Sequence, residues 1–340
     1  GGGMSRHLSD LDSTLMKIAV PAAVAGIGIL APGAVDAVIG AINSIFHLGL
    51  DLVVPAWVGW TLLAIGILLA VFVYCSANGW LPSRQQNYFA VTHTSFPTPA
   101  PMLGREVADS GRDTVVQRIC DLSPFFGQHL DVVGALRQQA LMINDVRAAQ
   151  RSGHVVCYGG LVHIPLQLHL GSAISTGAKV RFFEKNRNSN SWMELLMKSP
   201  PLGVSTEWKM ADSPTSAVIR ISISYLVDEW AIRSFVDDES IQVHIKVPTP
   251  CVDCVVSYSQ LDEISAEFRR SLDRLQSLLP KDAEVRLMFA GPSSLGVSIG
   301  RQISHSIHNK VWVYNYNRQS DPPYAWAVFV NSDGFEVRHL

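Results

Sequence analysis

The residues of this chain best suited to chemistry fall in two loops and two strand exits. The loops carry Gly159, Gly160 and His163 in one region and Gly291, Pro292, Ser293 and Ser294 in another. Small residues ahead of a helix bare its first backbone N–H groups, which bind anions such as phosphate. The strand exits carry Lys185, Asn186 and Arg187, then Tyr316, Asn317 and Arg318. Arginine forks onto phosphate with two parallel hydrogen bonds, and asparagine matches an adenine edge. Trp192 or Tyr316 offers a face for a base to stack on. These types describe a nucleotide site. Each has an ordinary reading too: glycines for tight turns, Asn-Arg as a solvated strand exit, Trp192 as core. Recurrence at equivalent places favours the site.

Positioning these residues requires two strand–helix–strand units. Val285 to Phe289 reads as a buried strand, ended by the turn Ala290 to Ser294. A helix follows, with Leu295, Ile299, Ile303 and Ile307 on one face and Ser293 or Ser294 as N-cap. Val311 to Tyr314 resumes strand sequence. The stretch His154 to Arg187 repeats this order. Aligning Gly171 with Gly300 puts Leu166, Leu170 and Ile174 on Leu295, Ile299 and Ile303, and Asn186-Arg187 on Asn317-Arg318. A tryptophan follows each copy, Trp192 and Trp326, at spacings that differ by three residues. Two such units predict a pseudo-dimer of Rossmann-like halves with ligand at the carboxyl ends of the strands.

This duplication resembles the SAVED domain, the cyclic-oligonucleotide sensor of bacterial anti-phage (CBASS) systems, built as two fused halves related to the CARF fold. The resemblance is carried by Tyr158-Gly159-Gly160, Ile164-Pro165, Leu170-Gly171 and Asn186-Arg187 with Trp192. In the second half it is carried by Phe289 to Pro292, Gly300-Arg301 and Val311 to Arg318. It covers about two-thirds of the chain, from near Asp113 to the end. It implies a cyclic di- or trinucleotide ligand made by a partner synthase and ligand-induced homo-oligomerisation. It further implies clustering of membrane segments that breaches the inner membrane and kills the infected cell. On this reading the protein is a sensor and effector, not an enzyme, with no cofactor and no duplex DNA or RNA as partner. Two alternatives stand beside it: a membrane-tethered nuclease that degrades a cyclic oligonucleotide, and a membrane scaffold whose α/β domain binds only protein.

The N-terminal quarter points to a bilayer. From Ser13 to Leu81 the formal charges are Lys17, Asp36 and Asp51 alone. Pro55 to Cys75 is 21 residues without a charge, with Trp57, Trp60 and Tyr74 near its ends as interfacial aromatics lie. Leu15 to Ala31 is a second, shorter candidate span. Between them, Asp36, Asn43 and His47 form a polar stripe opposite an apolar face, either an extramembrane turn or a pore-lining surface. Arg6 lies before the hairpin, Lys17 at the start of its first segment and Arg84 after it, so the positive-inside rule puts both termini in the cytoplasm. The expected order is a tag remnant (Gly1 to Gly3) and tail over 1–13, a transmembrane helical hairpin over 14–81 and a Pro-rich linker over 82–112. The α/β sensor domain follows over 113–340, with its halves meeting near residue 250.

Composition narrows the rest. A net charge of −2 lacks the basic surplus of general nucleic-acid binders. Five cysteines without framework spacing fit a reducing compartment, and Cys251-Val-Asp-Cys254 lacks the further ligands zinc needs. GxGxxG, P-loop and HExxH patterns are absent. The GxxxG spacing of Gly296 and Gly300 precedes Arg301 and Gln302, which places it on a soluble helix. Leu130 to Gln150 and Gln260 to Leu279 read as amphipathic helices and Trp192 to Lys198 as a short helix. Val218 to Tyr225 reads as a half-buried strand, Ile241 to Val247 as another, and Tyr324 to Val330 with Phe335 to Arg338 as a terminal hairpin.

Overall fold

The computed structural model describes residues 86–340 apart from 98–99, 109–112, 175–176, 178 and 187–188, together with six positions between 61 and 71. The chain divides into two units, 1–85 and 86–340. In the first, Thr61, Ala64, Ile65, Ile67, Leu68 and Val71 are helical and exposed. The remainder of the tail and hairpin expected over 1–81 lies outside the described residues. Among the described residues no helix is long and apolar enough to cross a membrane.

The second unit holds two mixed sheets. The first contains β1 (Asn87–Thr94), β2 (Thr114–Asp121), β3 (Val155–Leu161), β4 (Val180–Asn186) and β5 (Ser191–Glu194), in the order β2-β1-β3-β4-β5. Helix α1 (Val132–Arg151) leads from β2 to β3, and α2 (Ile164–Ala173) from β3 to β4. The second half follows with β6 (Ser205–Lys209), β7 (Ser216–Ser222), α3 (Glu229–Ile232), β8 (Ser240–Lys246), α4 (Tyr258–Leu278), β9 (Glu284–Ala290), α5 (Ser293–Gly300), β10 (Lys310–Tyr316), β11 (Tyr324–Phe329) and β12 (Val337–His339). Its sheet order is β12-β11-β10-β9-β7-β8-β6.

The run β8-β7-β9-β10-β11 repeats β2-β1-β3-β4-β5 in order and in direction. Four strands of each are parallel and the last is antiparallel. The two long helices, α1 and α4, form where the pattern asks for them. Ser257 caps α4 by accepting the Gln260 N–H, and Leu261, Ile264, Phe268, Leu272 and Leu275 bury one stripe of it.

The two halves meet where α2 crosses α5. A Cβ on Gly300 would drive into the Leu168 carbonyl oxygen, and one on Gly171 into that of Val297. The two glycines that align in the sequence repeat therefore face each other at the crossing. Gly296 leaves room for the Gln167 side chain in the same way. The GxxxG spacing serves a helix contact inside the α/β domain.

Several expectations need correction. The stretch read as linker contains β1, which lies between β2 and β3, so the folded unit begins at Gln86 and not near Asp113. Proline marks the flanks of that segment, while NYFAVTHT itself is strand sequence. The halves divide near residue 200 and not 250, because β7 pairs with β9 in the second sheet. Trp192 to Lys198 opens as strand β5 instead of a helix. β7 is buried on both faces, so its alternation does not mark a solvent side. Helix α5 stops at Gly300, leaving Ile303 buried beyond it and Ile307 53 % exposed. Pro292, not a serine, occupies its N-cap position. The terminal hairpin forms as β11 and β12.

Candidate functional site

At the carboxyl ends of β3, β4, β7, β9 and β10, both halves line one cavity of about 840 Å³. Ligand clefts of 300 to 1,000 Å³ are typical, and strand ends are where α/β folds place them. Seven of the fourteen candidate residues line it: Gly160 and Lys185 from the first half, Gly291, Pro292, Ser293, Tyr316 and Arg318 from the second. Arg187 lies outside the described residues.

The lining glycines have a common cause. Tyr158 and Phe289 each fold their ring over the residue two places on, and a Cβ on Gly160 or Gly291 would strike that ring. This keeps the chain flat where it enters each loop. Tyr316 lines the cavity, is 48 % exposed and packs edge-on to Tyr324 at 5.4 Å.

The other candidates are engaged in the fold. Trp192 is 3 % exposed, its indole N–H donates to the Pro101 carbonyl at 2.7 Å, and a Cβ on Gly159 would sit 3.0 Å from its ring. It is core, and Gly159 makes room for it; the stacking role is corrected accordingly. Asn186 Oδ1 accepts the Ser189 N–H at 3.1 Å, and Asn317 Oδ1 accepts the Gln319 N–H at 3.0 Å. The recurring asparagines close turns at strand exits, as Asx side chains do. Neither lines the cavity, so the adenine-edge assignment is corrected too.

His163 is clamped. Ser95 Oγ accepts its backbone N–H at 2.8 Å and lies 2.6 Å from its Nδ1. The serine hydroxyl has its own O–H to offer the ring nitrogen, an arrangement that suits a neutral imidazole. Phe96 and Phe126 flank the ring at 4.5 and 4.2 Å. Burial holds its pKa down to about 4. A cationic contact with phosphate at neutral pH is not available from it.

The start of α5 holds an unexpected partner. The Ser294 N–H, offered by the sequence as a phosphate donor, donates to Glu184 Oε1 of β4 at 2.8 Å. A carboxylate at a helix N-terminus is stabilised by the unsatisfied N–H groups there. Burial pushes Glu184 up to about 7, opposed by hydrogen bonding from Ser294, whose N–H reaches it, and reinforced by Asp253.

Residue reading along the sequence missed Glu184, Phe96, Tyr225, Asp228 and Asp253, all of which line the cavity. Tyr225 is 60 % exposed just past β7, and its place at the end of an apolar alternation disguised it as strand. The cavity wall thus mixes two cations, Lys185 and Arg318, with three acids, Glu184, Asp228 and Asp253, among the described residues.

Comparison with known proteins adds the lineage. The family model described as "SMODS-associated and fused to various effectors sensor domain" (SAVED) matches residues 139–330. No curated protein matches the chain. Among solved structures, the Acinetobacter baumannii Cap4 SAVED/CARF-domain containing receptor with the cyclic trinucleotide 3'3'3'-cAAA is 11 % identical, with a TM-score of 0.46 over 84 % of this chain and 64 % of that one. The same receptor with 2'3'3'-cAAA gives 10 % and 0.44 over 84 % and 64 %. The Moraxella osloensis Cap4 receptor gives 10 % and 0.42 over 85 % and 64 %. The chain spans about 64 % of the length of these receptors. With more than half of its residues matched by the family model, and with two halves sharing one strand-end cavity, this chain belongs to the SAVED family of sensor domains.

Proposed function

We propose that the cavity binds a cyclic di- or trinucleotide and that the chain is a membrane-anchored sensor and effector of CBASS anti-phage defence. The observation that carries this reading is the cavity itself. It is built by equivalent strand ends of both halves, is large enough for an oligonucleotide ring, and offers Lys185 and Arg318 for phosphate and Tyr316 for a base. Ligand bound across both halves favours one arrangement of the domain, and a bound state that self-associates is populated in proportion to its differential affinity. Assembly brings the N-terminal hairpins together in the inner membrane, where they breach the bilayer and kill the infected cell. Support for the membrane part is the charge-free Pro55 to Cys75 stretch, within which the apolar Ile65, Ile67, Leu68 and Val71 are helical and exposed.

Calorimetry of the full chain in detergent against cyclic di- and trinucleotides, followed by sizing and dye release from vesicles, tests each step. Binding, growth of the assembly and ligand-dependent leakage are expected. Recovery of linear products would replace the sensor with a nuclease, and absence of binding would favour a protein-binding scaffold.

A further inference from the structure

The anion seat at the start of α5 is already filled from within the chain. Glu184, on β4 of the first half, places Oε1 on the Ser294 N–H of the second half at 2.8 Å and also lines the cavity. A phosphodiester brought to the same turn would compete with Glu184 for the Ser294 N–H and, where the carboxyl is ionised, meet a like charge. The cations lining the cavity among the described residues, Lys185 and Arg318, are the groups that suit phosphate. The uncharged parts of such a ligand that carry N–H donors are its base edges. A carboxylate has about four lone-pair positions, so the Ser294 N–H leaves capacity for a further donor.

We propose that Glu184 reads a nucleobase edge at the wall of the cavity and so sets which purine the site takes. The inference rests on the reading of the cavity as a cyclic-oligonucleotide site and names the residue that gives that site its base preference. An ionised carboxylate only accepts, which matches the paired N1–H and N2–H donors of guanine. A protonated carboxyl donates once and accepts once, which matches the N1 acceptor and N6–H donor of adenine. With burial pushing Glu184 to about 7, both forms are within reach near neutrality. The titratable and charged groups around it are Tyr158 on β3, Lys185 on its own strand, Asp253 before α4, and Asp228 and Arg318 elsewhere on the cavity wall.

The test is calorimetric titration of the wild-type full chain and E184Q with an all-adenine cyclic trinucleotide and with its counterpart bearing one guanine, at about pH 6 and about pH 8. Wild type is expected to bind the adenine ligand roughly tenfold more tightly at the lower pH, and to favour the guanine ligand as pH rises. The amide of E184Q donates and accepts at every pH. That variant should hold the adenine affinity at both pH values and lose roughly tenfold or more for guanine. Thermal unfolding of E184Q confirms that the fold is kept. An unchanged base ranking and pH response in E184Q would overturn the inference. So would an equal loss for both ligands, which a ribose or phosphate contact would produce. If wild type binds neither ligand, the reading of the cavity itself falls.

Discussion

Helices α2 and α5 occupy equivalent places in the two halves, yet their first turns are guarded by opposite chemistry. The start of α2 is packed shut around His163: Ser95 holds it through two contacts, Phe96 and Phe126 flank the ring, and Trp326 reaches it from the second half. The start of α5 opens on the cavity and is met by Glu184 from the other half. In the repeat alignment Glu184 falls on Asn315, which is buried at 6 % exposure. A duplicated scaffold therefore supports an asymmetric site. Duplication fixes where a ligand can sit, and the unmatched residues fix what it meets.

The crossing on which both halves depend is the most sensitive point. Gly300→Val should lower stability by about 3 kcal/mol or more, because the added carbons meet the Leu168 backbone and not a movable side chain. Gly127→Ala, whose Cβ would have its nearest neighbour 4.0 Å away, should change it by less than about 0.5 kcal/mol. Chemical denaturation compares the two. Equal effects would remove the crossing as the organising contact.

The two aromatic candidates separate next. Trp192→Ala should cost about 3 to 5 kcal/mol of stability as a core truncation. Tyr316→Ala, at a half-exposed position, should leave the unfolding midpoint close to wild type while weakening ligand binding by about 1 kcal/mol or more. A Tyr316→Ala protein with unchanged affinity would take that residue out of the site.

The two helix starts should also respond to pH in opposite senses. His163 is held down to about 4 from an ordinary 6.5. Its stabilising contribution is whole above 6.5 and is lost as pH falls toward 4, when the unfolded chain takes up the proton first. Glu184 is raised from an ordinary 4.5 to about 7. Its contribution is whole below 4.5 and is lost as pH rises through 7. Each effect is on the order of 1 to 3 kcal/mol at its limit. His163→Gln should flatten the acid side of the stability profile, although His93, His169 and His244, also held down by burial, keep part of that slope. Glu184→Gln should flatten the neutral side. Profiles that move together would break the contrast.

A modest effect is expected at the cavity rim. Arg318→Ala should weaken binding of a cyclic oligonucleotide by roughly tenfold, about 1.4 kcal/mol, with no change in unfolding midpoint. Unchanged affinity in calorimetry would move the phosphate contact elsewhere.

Much of the second half was legible in sequence because its signals are local. Strand β9, the small-residue turn and the strand after it announce themselves within a few residues, and α4 shows its apolar stripe over a full run of turns. The first half was harder. β1 hides between prolines, and its central place depends on pairing with β2 and β3, more than twenty and sixty residues downstream. The recurring Asn-Arg pairs were visible, but whether an asparagine reads a base or closes a turn depends on backbone geometry that residue types do not specify. His163 has a residue type suited to chemistry, and only its burial against Phe96, Phe126 and Trp326 shuts that chemistry off.

By itself the sequence determined that one βαβ unit occurs twice, that Gly171 and Gly300 are equivalent, and that ligand chemistry belongs at the strand ends. Helical period, small-residue loops and apolar strands are written within short windows, so they survive without a fold. Tertiary structure decided which loop is open, which aromatics are core, and that the carboxylate of Glu184 meets an N–H 110 residues away. Burial and charge at that point come from neighbours that only folding brings together.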